Sequence, residues 1–346
     1  MSYAVSEIRP SNKRGLAQAE ELLAREGIRK DPNLDYLAGA YTSDGTLVAV
    51  GGCFSNTLRC LAVDSAYRGE GIMPILVSHL IQYEFNKGHT HLFLYTKLDN
   101  ADIFTSMSFR EIARVKGEFL LMENRKDGFT SFLDELAKTK RPGVSAAVVV
   151  NCNPFTLGHR HLIEQASQNC DTLHLFVVSE DASFFPFQDR YKLVAEGTAD
   201  LPNVVMHQTG SYMISSAVFP SYFLKDEDEA IRAQAKLDIE IFTKIAKTLD
   251  ISKRFVGEEP FSQVTGIYNS IMAAALPDAG IECIVVPRIA SDGLKISASN
   301  VRKLLSEGRI EETKSLVPPT TYNFFSTERG EAVIKTLQQA DEVIHY

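Results

Sequence analysis

The sequence predicts an α/β protein in two parts, an α+β region of hairpins and helices followed by a doubly wound parallel sheet. Three observations carry this. From Ala147 onward, short apolar runs alternate with helical stretches, the order expected of parallel βαβ units. Before residue 125, two strand-like runs are joined by Ser43-Asp-Gly45, a hairpin turn signal. Glu123-Asn-Arg-Lys-Asp-Gly128 and Thr139-Lys-Arg-Pro-Gly143 then form polar breaks that read as a boundary. The expected division is therefore 1–125, a linker at 126–143, and 144–346.

A chain of 346 residues can form two cores, and 45% hydrophobic with 23% charged residues is ordinary for a soluble globular protein. The net charge of −8 offers no general attraction to nucleic acid or to an anionic membrane, so neither is expected as a partner. An anionic ligand would need a locally positive site. Cys53, Cys60, Cys152, Cys170 and Cys283 are scattered without C-x-x-C pairs, which points to reduced thiols. Residues 1–10 lack the apolar core of a signal peptide, and no apolar run approaches membrane-spanning length. The expected location is cytoplasmic.

In the first part, Asn12 to Glu26 reads as an amphipathic helix with Leu16, Ala19, Leu22 and Leu23 on one face. Strands are expected at Tyr36–Tyr41, Leu47–Phe54, Leu58–Val63 and His91–Thr96, with a closing pair from Glu111 to Met122. Helices are expected at Met73–Asn86 and around Asn100–Met107. The informative stretch is Ala66-Tyr-Arg-Gly-Glu-Gly-Ile-Met-Pro-Ile-Leu76, a strand that opens through glycines into a helix. Free N–H groups and one arginine there suit a diphosphate-sized anion.

This stretch resembles the acetyl-CoA pyrophosphate loop of the GNAT N-acetyltransferases, and Asn100-Ala-Asp-Ile-Phe-Thr-Ser-Met-Ser-Phe109 resembles that family's later helix. The likeness covers about residues 1 to 125 and implies an acyl-CoA-type site at Arg68, Gly69 and Gly71. Met73 stands where the family usually has Gly or Ala, Ser108 replaces the usual Gly before Phe109, and no general base is singled out. A degenerate domain kept for packing is the alternative.

The segment Phe129–Lys138 is amphipathic, and Lys138, Lys140 and Arg141 read as a solvated linker, the alternative being a nucleotide contact. A buried strand from Ala147 then breaks at Asn153-Pro154 and resumes at Gly158-His159 as a helix bearing Leu162, Ile163 and Ala166. Such a helix N-terminus favours an anion, and Gly158 permits close approach. His159 is either a donor to that anion or a capping or surface histidine. Further strands are expected at Thr172–Val178, Val204–Gln208, Arg254–Gly257 and Glu282–Pro287, and helices at Gln188–Ala199, Glu227–Leu249, Val264–Ala275 and Ala298–Glu307. Ligands of such a sheet bind at the C-terminal ends of its strands.

Three loops lie at such ends. In Ile296-Ser-Ala-Ser-Asn-Val-Arg302, hydroxyls, helix N–H groups and a guanidinium suit a polyphosphate, the alternative being a helix cap with Ser299 as N-cap. Arg190, in Phe187-Gln-Asp-Arg-Tyr191, reads equally as a phosphate contact or a structural ion pair. Glu258 and Glu259 follow Gly257 and suggest surface or ribose-contacting acids, or a metal or acid/base pair.

Thr156-Leu-Gly-His159 and Ile296 to Arg302 resemble the T/H-x-G-H and I-S-S-T-x-x-R signatures of the nucleotidylyltransferase superfamily, with Ala298 replacing a serine. That likeness implies a Rossmann-like nucleotidylyltransferase domain whose two motifs flank the ATP phosphates. Nearly end to end, the chain resembles the citrate lyase ligase family, through Asn153-Pro-Phe-Thr-Leu-Gly-His-Arg-His161, Arg254-Phe-Val-Gly-Glu-Glu-Pro-Phe261, the segment Tyr212 to Lys225, and Gly266-Ile-Tyr-Asn269. The resemblance implies an acid–thiol ligase that activates acetate with ATP and Mg²⁺ and acetylates the CoA-like prosthetic-group thiol on the citrate lyase acyl carrier subunit.

It further implies His159, Thr156 and Arg302 as catalytic residues, and Asn153, Pro154, Phe155, Gly158, His161, Arg190, Gly257, Ser297 and Ser299 as ATP contacts. Arg68, Gly69 and Gly71 would hold the carrier arm, and Lys225 would neutralise acetate or phosphate, the alternative being an exposed surface lysine. No metal ligand is singled out. The rivals are an adenylyltransferase acting on an acceptor such as phosphopantetheine, an acetyl-CoA-dependent N-acetyltransferase in the first part, and a non-catalytic sensor.

Overall fold

The computed structural model describes residues 3–213, 219–220, 222, 224, 227–258, 263–291 and 294–340. The chain forms two compact units, Met1–Thr130 with Pro220–Ala233, and Ser131–Phe219 with Gln234–Tyr346. Among the described residues no helix is long and apolar enough to cross a membrane.

The first unit is built on seven strands: β1 (Ala4–Glu7), β2 (Tyr36–Tyr41), β3 (Leu47–Phe54), β4 (Thr57–Val63), β5 (Phe93–Lys97), β6 (Arg110–Val115) and β7 (Phe119–Glu123). They are ordered β1-β2-β3-β4-β5-β7-β6, and β4 and β5 pair in parallel while their neighbours run antiparallel. Helices α1 (Lys13–Arg25), α2 (Ile72–Asn86) and α3 (Ala101–Ser106) complete it. Leu22, Leu23 and Ala19 of α1 enter one core cluster, and Leu76, Val77 and Leu80 of α2 enter another. The unexpected strand is β1, whose residues are mostly exposed and lack an apolar pattern; it is held by backbone pairing to β2 and by Val5 packed against the core. Ser108 has φ +69°, a left-handed conformation that explains why glycine is usual at this place in the fold.

A short helix α4 (Gly128–Ala137) precedes the second sheet, formed by β8 (Ser145–Val150), β9 (Thr172–Val177), β10 (Val204–Gln208), β11 (Ile251–Gly257) and β12 (Glu282–Val286). All its pairs are parallel, in the order β10-β9-β8-β11-β12. The chain winds outward from β8 through β9 to β10 and then returns to β11 on the other side. The switch point of this doubly wound sheet therefore lies between β8 and β11, where a crevice is expected.

Its helices are α5 (Leu157–Ser167), α6 (Phe187–Gly197), α7 (Glu227–Leu249), α8 (Gln263–Ala275) and α9 (Ala298–Ser306), followed by α10 (Pro319–Phe324) and α11 (Glu328–Gln339). The last two were not expected from the sequence. The second covers α9, with Val333, Ile334 and Leu337 packed beside Val301, Leu305 and Phe185, while α10 packs on α6.

His174 on β9 and His207 on β10 are buried side by side, Nδ1 of one 2.9 Å from Nε2 of the other. Burial pushes both pKa values down to about 4, helped by the positive charge of Arg141 at His174 and by His174 itself at His207. Their folded values lie below the ordinary 6.5, so the unfolded chain takes up these protons first. Stability from this pair is complete above pH 6.5 and is lost as pH falls toward 4, by up to about 1.4 kcal/mol per pH unit for each imidazole. Urea midpoints measured at pH 7.5, 6 and 5 should fall in that order, and less steeply in His174→Gln.

Candidate active site

The crevice is present as a cavity of about 410 Å³ in the second unit. Val149, Val150 and Asn151 at the end of β8 line it, with Val256, Gly257 and Glu258 at the end of β11. Register pairing between these strands ends at Val148–Phe255, so the two ends open around the cavity.

Helix α5 starts at the cavity wall. Thr156 is its N-cap and forms a capping box with His159, whose Nδ1 accepts the Thr156 backbone N–H at 3.1 Å. A backbone N–H can only donate, so Nδ1 carries a lone pair and the imidazole proton sits on Nε2. Burial, then the charges of Arg288 and Arg302, push the His159 pKa down to about 4. His159 lines the cavity and is therefore a neutral imidazole with an N–H to offer. Capping, one of the alternatives on sequence grounds, thus uses Nδ1 and does not occupy Nε2.

The two motifs meet closely where Gly158 carries no side chain. A Cβ on Gly158 would lie 3.2 Å from the Ile296 carbonyl oxygen, so glycine permits the start of α5 to approach the loop before α9. Ser297 is the N-cap of α9, its Oγ accepting the Asn300 N–H at 3.1 Å. This corrects the expected cap at Ser299. Thr156, Gly158, His159 and His161 share the cavity lining with Gly257, Ser297 and Ala298. Two helix N-termini thus face one space, a suitable setting for phosphate.

Other expected ATP contacts lie outside the lining. Asn153, Pro154 and Phe155 are buried beneath the loop; Asn153 Oδ1 accepts the Phe185 N–H at 3.1 Å, and Phe155 belongs to the core. Arg302 is fully buried, its Nη1 donating to the Asn153 carbonyl at 2.6 Å and its Nη2 to Ser299 Oγ at 3.4 Å. It fastens one motif to the other from below, and Ser299 is its partner. Arg190 is also fully buried, donating to the carbonyls of Phe185, Asn151, Val178 and Glu180. Its guanidinium is occupied by the chain, which corrects the expected phosphate contact. Lys225 and Glu259 lie outside the described residues.

Several cavity residues were not among the expected site residues: Asp238 and Gln234 on α7, Arg288 after β12, and Arg254, Tyr268 and Asn269, which stood only within the family-like motifs. Arg288 Nε donates to the Glu258 carbonyl at 2.8 Å. The available signal was Arg254, a cation on a strand of a parallel sheet, whose two faces are both covered. Among the described residues no group of three or more His, Cys, Asp or Glu is placed to hold a metal ion.

The first unit has its own cavity, about 590 Å³, lined by Arg68, Gly69, Gly71 and Met73 together with Tyr95 and Tyr222. Gly69 and Gly71 have φ of +84° and +74°, and Gly71 is the left-handed N-cap of α2. The Arg68 guanidinium pairs with the Glu26 carboxylate, whose other oxygen accepts the Ser65 N–H at 3.0 Å.

Fold and site together define a protein that joins an acetyltransferase-type α+β unit to a nucleotidyltransferase-like α/β unit. Residues 3–103 match the acetyltransferase (GNAT) family and residues 145–325 match the citrate lyase ligase C-terminal domain. The chain belongs to the citrate lyase ligase family and is an enzyme of the ligase class. It is 36% identical over 324 residues to the [citrate [pro-3S]-lyase] ligase of Escherichia coli (strain K12), covering 92% of each chain. To the Klebsiella pneumoniae protein of the same name it is 40% identical, over 80% of this chain and 83% of that one. For the Haemophilus influenzae protein the figures are 36%, 91% and 96%.

Proposed function

We propose that the chain activates acetate with ATP and transfers the acetyl group to the CoA-like thiol on the acyl carrier subunit of citrate lyase, in the cytoplasm. Family membership supports the overall reaction. The observation that carries the chemistry is the neutral His159 with its Nε2–H, set beside the N-termini of α5 and α9 in one cavity.

A carboxylate oxygen of acetate attacks the α-phosphorus of ATP, and the bond from that phosphorus to the bridging oxygen breaks. Pyrophosphate leaves and acetyl-adenylate remains. The carrier thiol, losing its proton to solvent, attacks the acetyl carbon, and AMP leaves with the former carboxylate oxygen. No covalent enzyme intermediate is needed, so catalysis rests on orientation and charge stabilisation. Thr156 and Gly158 shape the α5 terminus, His159 donates to the phosphates near the reacting centre, and Ser297 orders the α9 terminus for the leaving pyrophosphate. Arg302 serves by holding the two motifs in register. Mg²⁺ brought with ATP would screen the phosphate charge.

ATP–pyrophosphate exchange measured with and without acetate tests this reading. Exchange should require acetate, and adding the carrier should convert it to net AMP release. Exchange that needs phosphopantetheine and ignores acetate would instead favour an adenylyltransferase.

We propose further that the Arg68-Gly69-Gly71 loop takes the pyrophosphate of the carrier arm. In Arg68→Ala, transfer to the carrier should fall roughly tenfold or more while acetate-dependent exchange stays near normal, given that charge-assisted contacts of this kind contribute about 1.5–3 kcal/mol. Equal loss of both half-reactions would count against it.

A further inference from the structure

We infer that the floor of the second unit's cavity is the acid subsite, where the Arg254 guanidinium receives the carboxylate of a short monocarboxylic acid. The inference rests on the adenylate-forming reading of the same cavity and adds the residue that would select its acid. Arg254 lies on β11, is 3% exposed and lines the cavity. Its Nε and Nη1 are buried and make no hydrogen bond among the described residues. The guanidinium lies over the Phe242 ring, 4.2 Å from its centroid, a contact that satisfies its flat face and leaves its N–H edge available. A buried cation with idle donors is costly unless an anion completes it.

The neighbouring acid does not complete it. Asp238, on α7, forms no ion pair with Arg254 and accepts the hydroxyl of Tyr268 instead. Burial pushes the Asp238 pKa up to about 7, so near neutrality this carboxyl is only partly ionised and leaves much of the Arg254 charge unmatched. The ATP phosphates have donors of their own at the starts of α5 and α9, so the guanidinium is left for a second anion. Arg254 and Val256 share one face of β11, two residues apart, and both line the cavity with Met272 of α8. A planar fork beside an apolar wall suits a carboxylate with a small alkyl tail.

Arg254→Met and Arg254→Lys test this in acetate-dependent ATP–pyrophosphate exchange. Both should raise the KM for acetate, roughly 100-fold in Arg254→Met, with the KM for ATP changed by less than about threefold. An unchanged KM for acetate, or a loss confined to ATP, would overturn the inference. A second measurement needs neither turnover nor a stable Met variant. In wild-type protein labelled with ¹⁵N-arginine, the Nε–H signal missing from Arg254→Lys should shift on adding acetate alone, and a signal that stays in place overturns the assignment. Were the wild type to show this shift and yet no acetate-dependent exchange, the adenylate reading would fail and the acid subsite would stand.

Discussion

Replacing His159 with alanine should lower the rate of acetate-dependent ATP–pyrophosphate exchange by about 100-fold or more, the usual cost of losing one donor at a site of developing charge. The loss should fall on kcat more than on the KM for ATP, because the helix N-termini that bind the ground state remain. His159→Gln can return an N–H near the Nε2 position, whereas the shorter amide of His159→Asn reaches only about as far as Nδ1. Glutamine should therefore recover part of the rate and asparagine none. The pH profile offers an independent check. Since burial and the charges of Arg288 and Arg302 hold the imidazole pKa at about 4, the ring is neutral throughout the physiological range. As pH falls through that value Nδ1 gains a proton and can no longer accept the Thr156 N–H, so activity is lost there. From pH 8 to 5 this residue should contribute no limb, and a limb near 6.5 that vanishes in His159→Gln would contradict the assignment.

The strand–helix alternation of the second unit was legible because the inner strands β8 and β9 are largely apolar runs and each helix buries one stripe. The run Ala146-Ala-Val-Val-Val150 and the pattern Leu162, Ile163, Ala166 are clear examples. Strand β1 was not legible, since its pairing uses backbone groups that no side-chain pattern reports. At the site, Gly158 and His159 were marked by local signals of turn and glycine, whereas Thr156 and Ser297 came from the family resemblance, the local reading having put the cap at Ser299. What a local signal cannot reveal is which way a guanidinium faces. Arg190, Arg254, Arg288 and Arg302 are alike as letters, yet three of them bind chain carbonyls and one is left with idle donors on a cavity floor. That difference is set by residues far away in sequence, such as Asn153 for Arg302 and Phe242 for Arg254.

Arg190→Met should show how much the site depends on a residue that does not face it. The side chain ties the end of β8 to the end of β9 and to the loop before α6: Nη1 donates to the carbonyls of Asn151 and Val178 at 2.7 and 2.9 Å, Nη2 to that of Glu180 at 2.5 Å, and Nε to that of Phe185 at 2.9 Å. Methionine fills much of the volume but leaves buried acceptors without donors, which typically costs about 1–3 kcal/mol for each one that water cannot reach. With some relaxation toward solvent, a total loss of about 3–5 kcal/mol is expected, comparable to breaking a buried charge interaction. In a unit of this size that corresponds to a melting temperature lower by roughly 10 °C. Lysine cannot restore it, because one ammonium cannot span acceptors on three segments. Below the melting range, the folded variant should bind ATP with nearly unchanged KM, since the donors facing the phosphates are elsewhere. A variant that melted like the wild type and lost ATP affinity would return Arg190 to the phosphate.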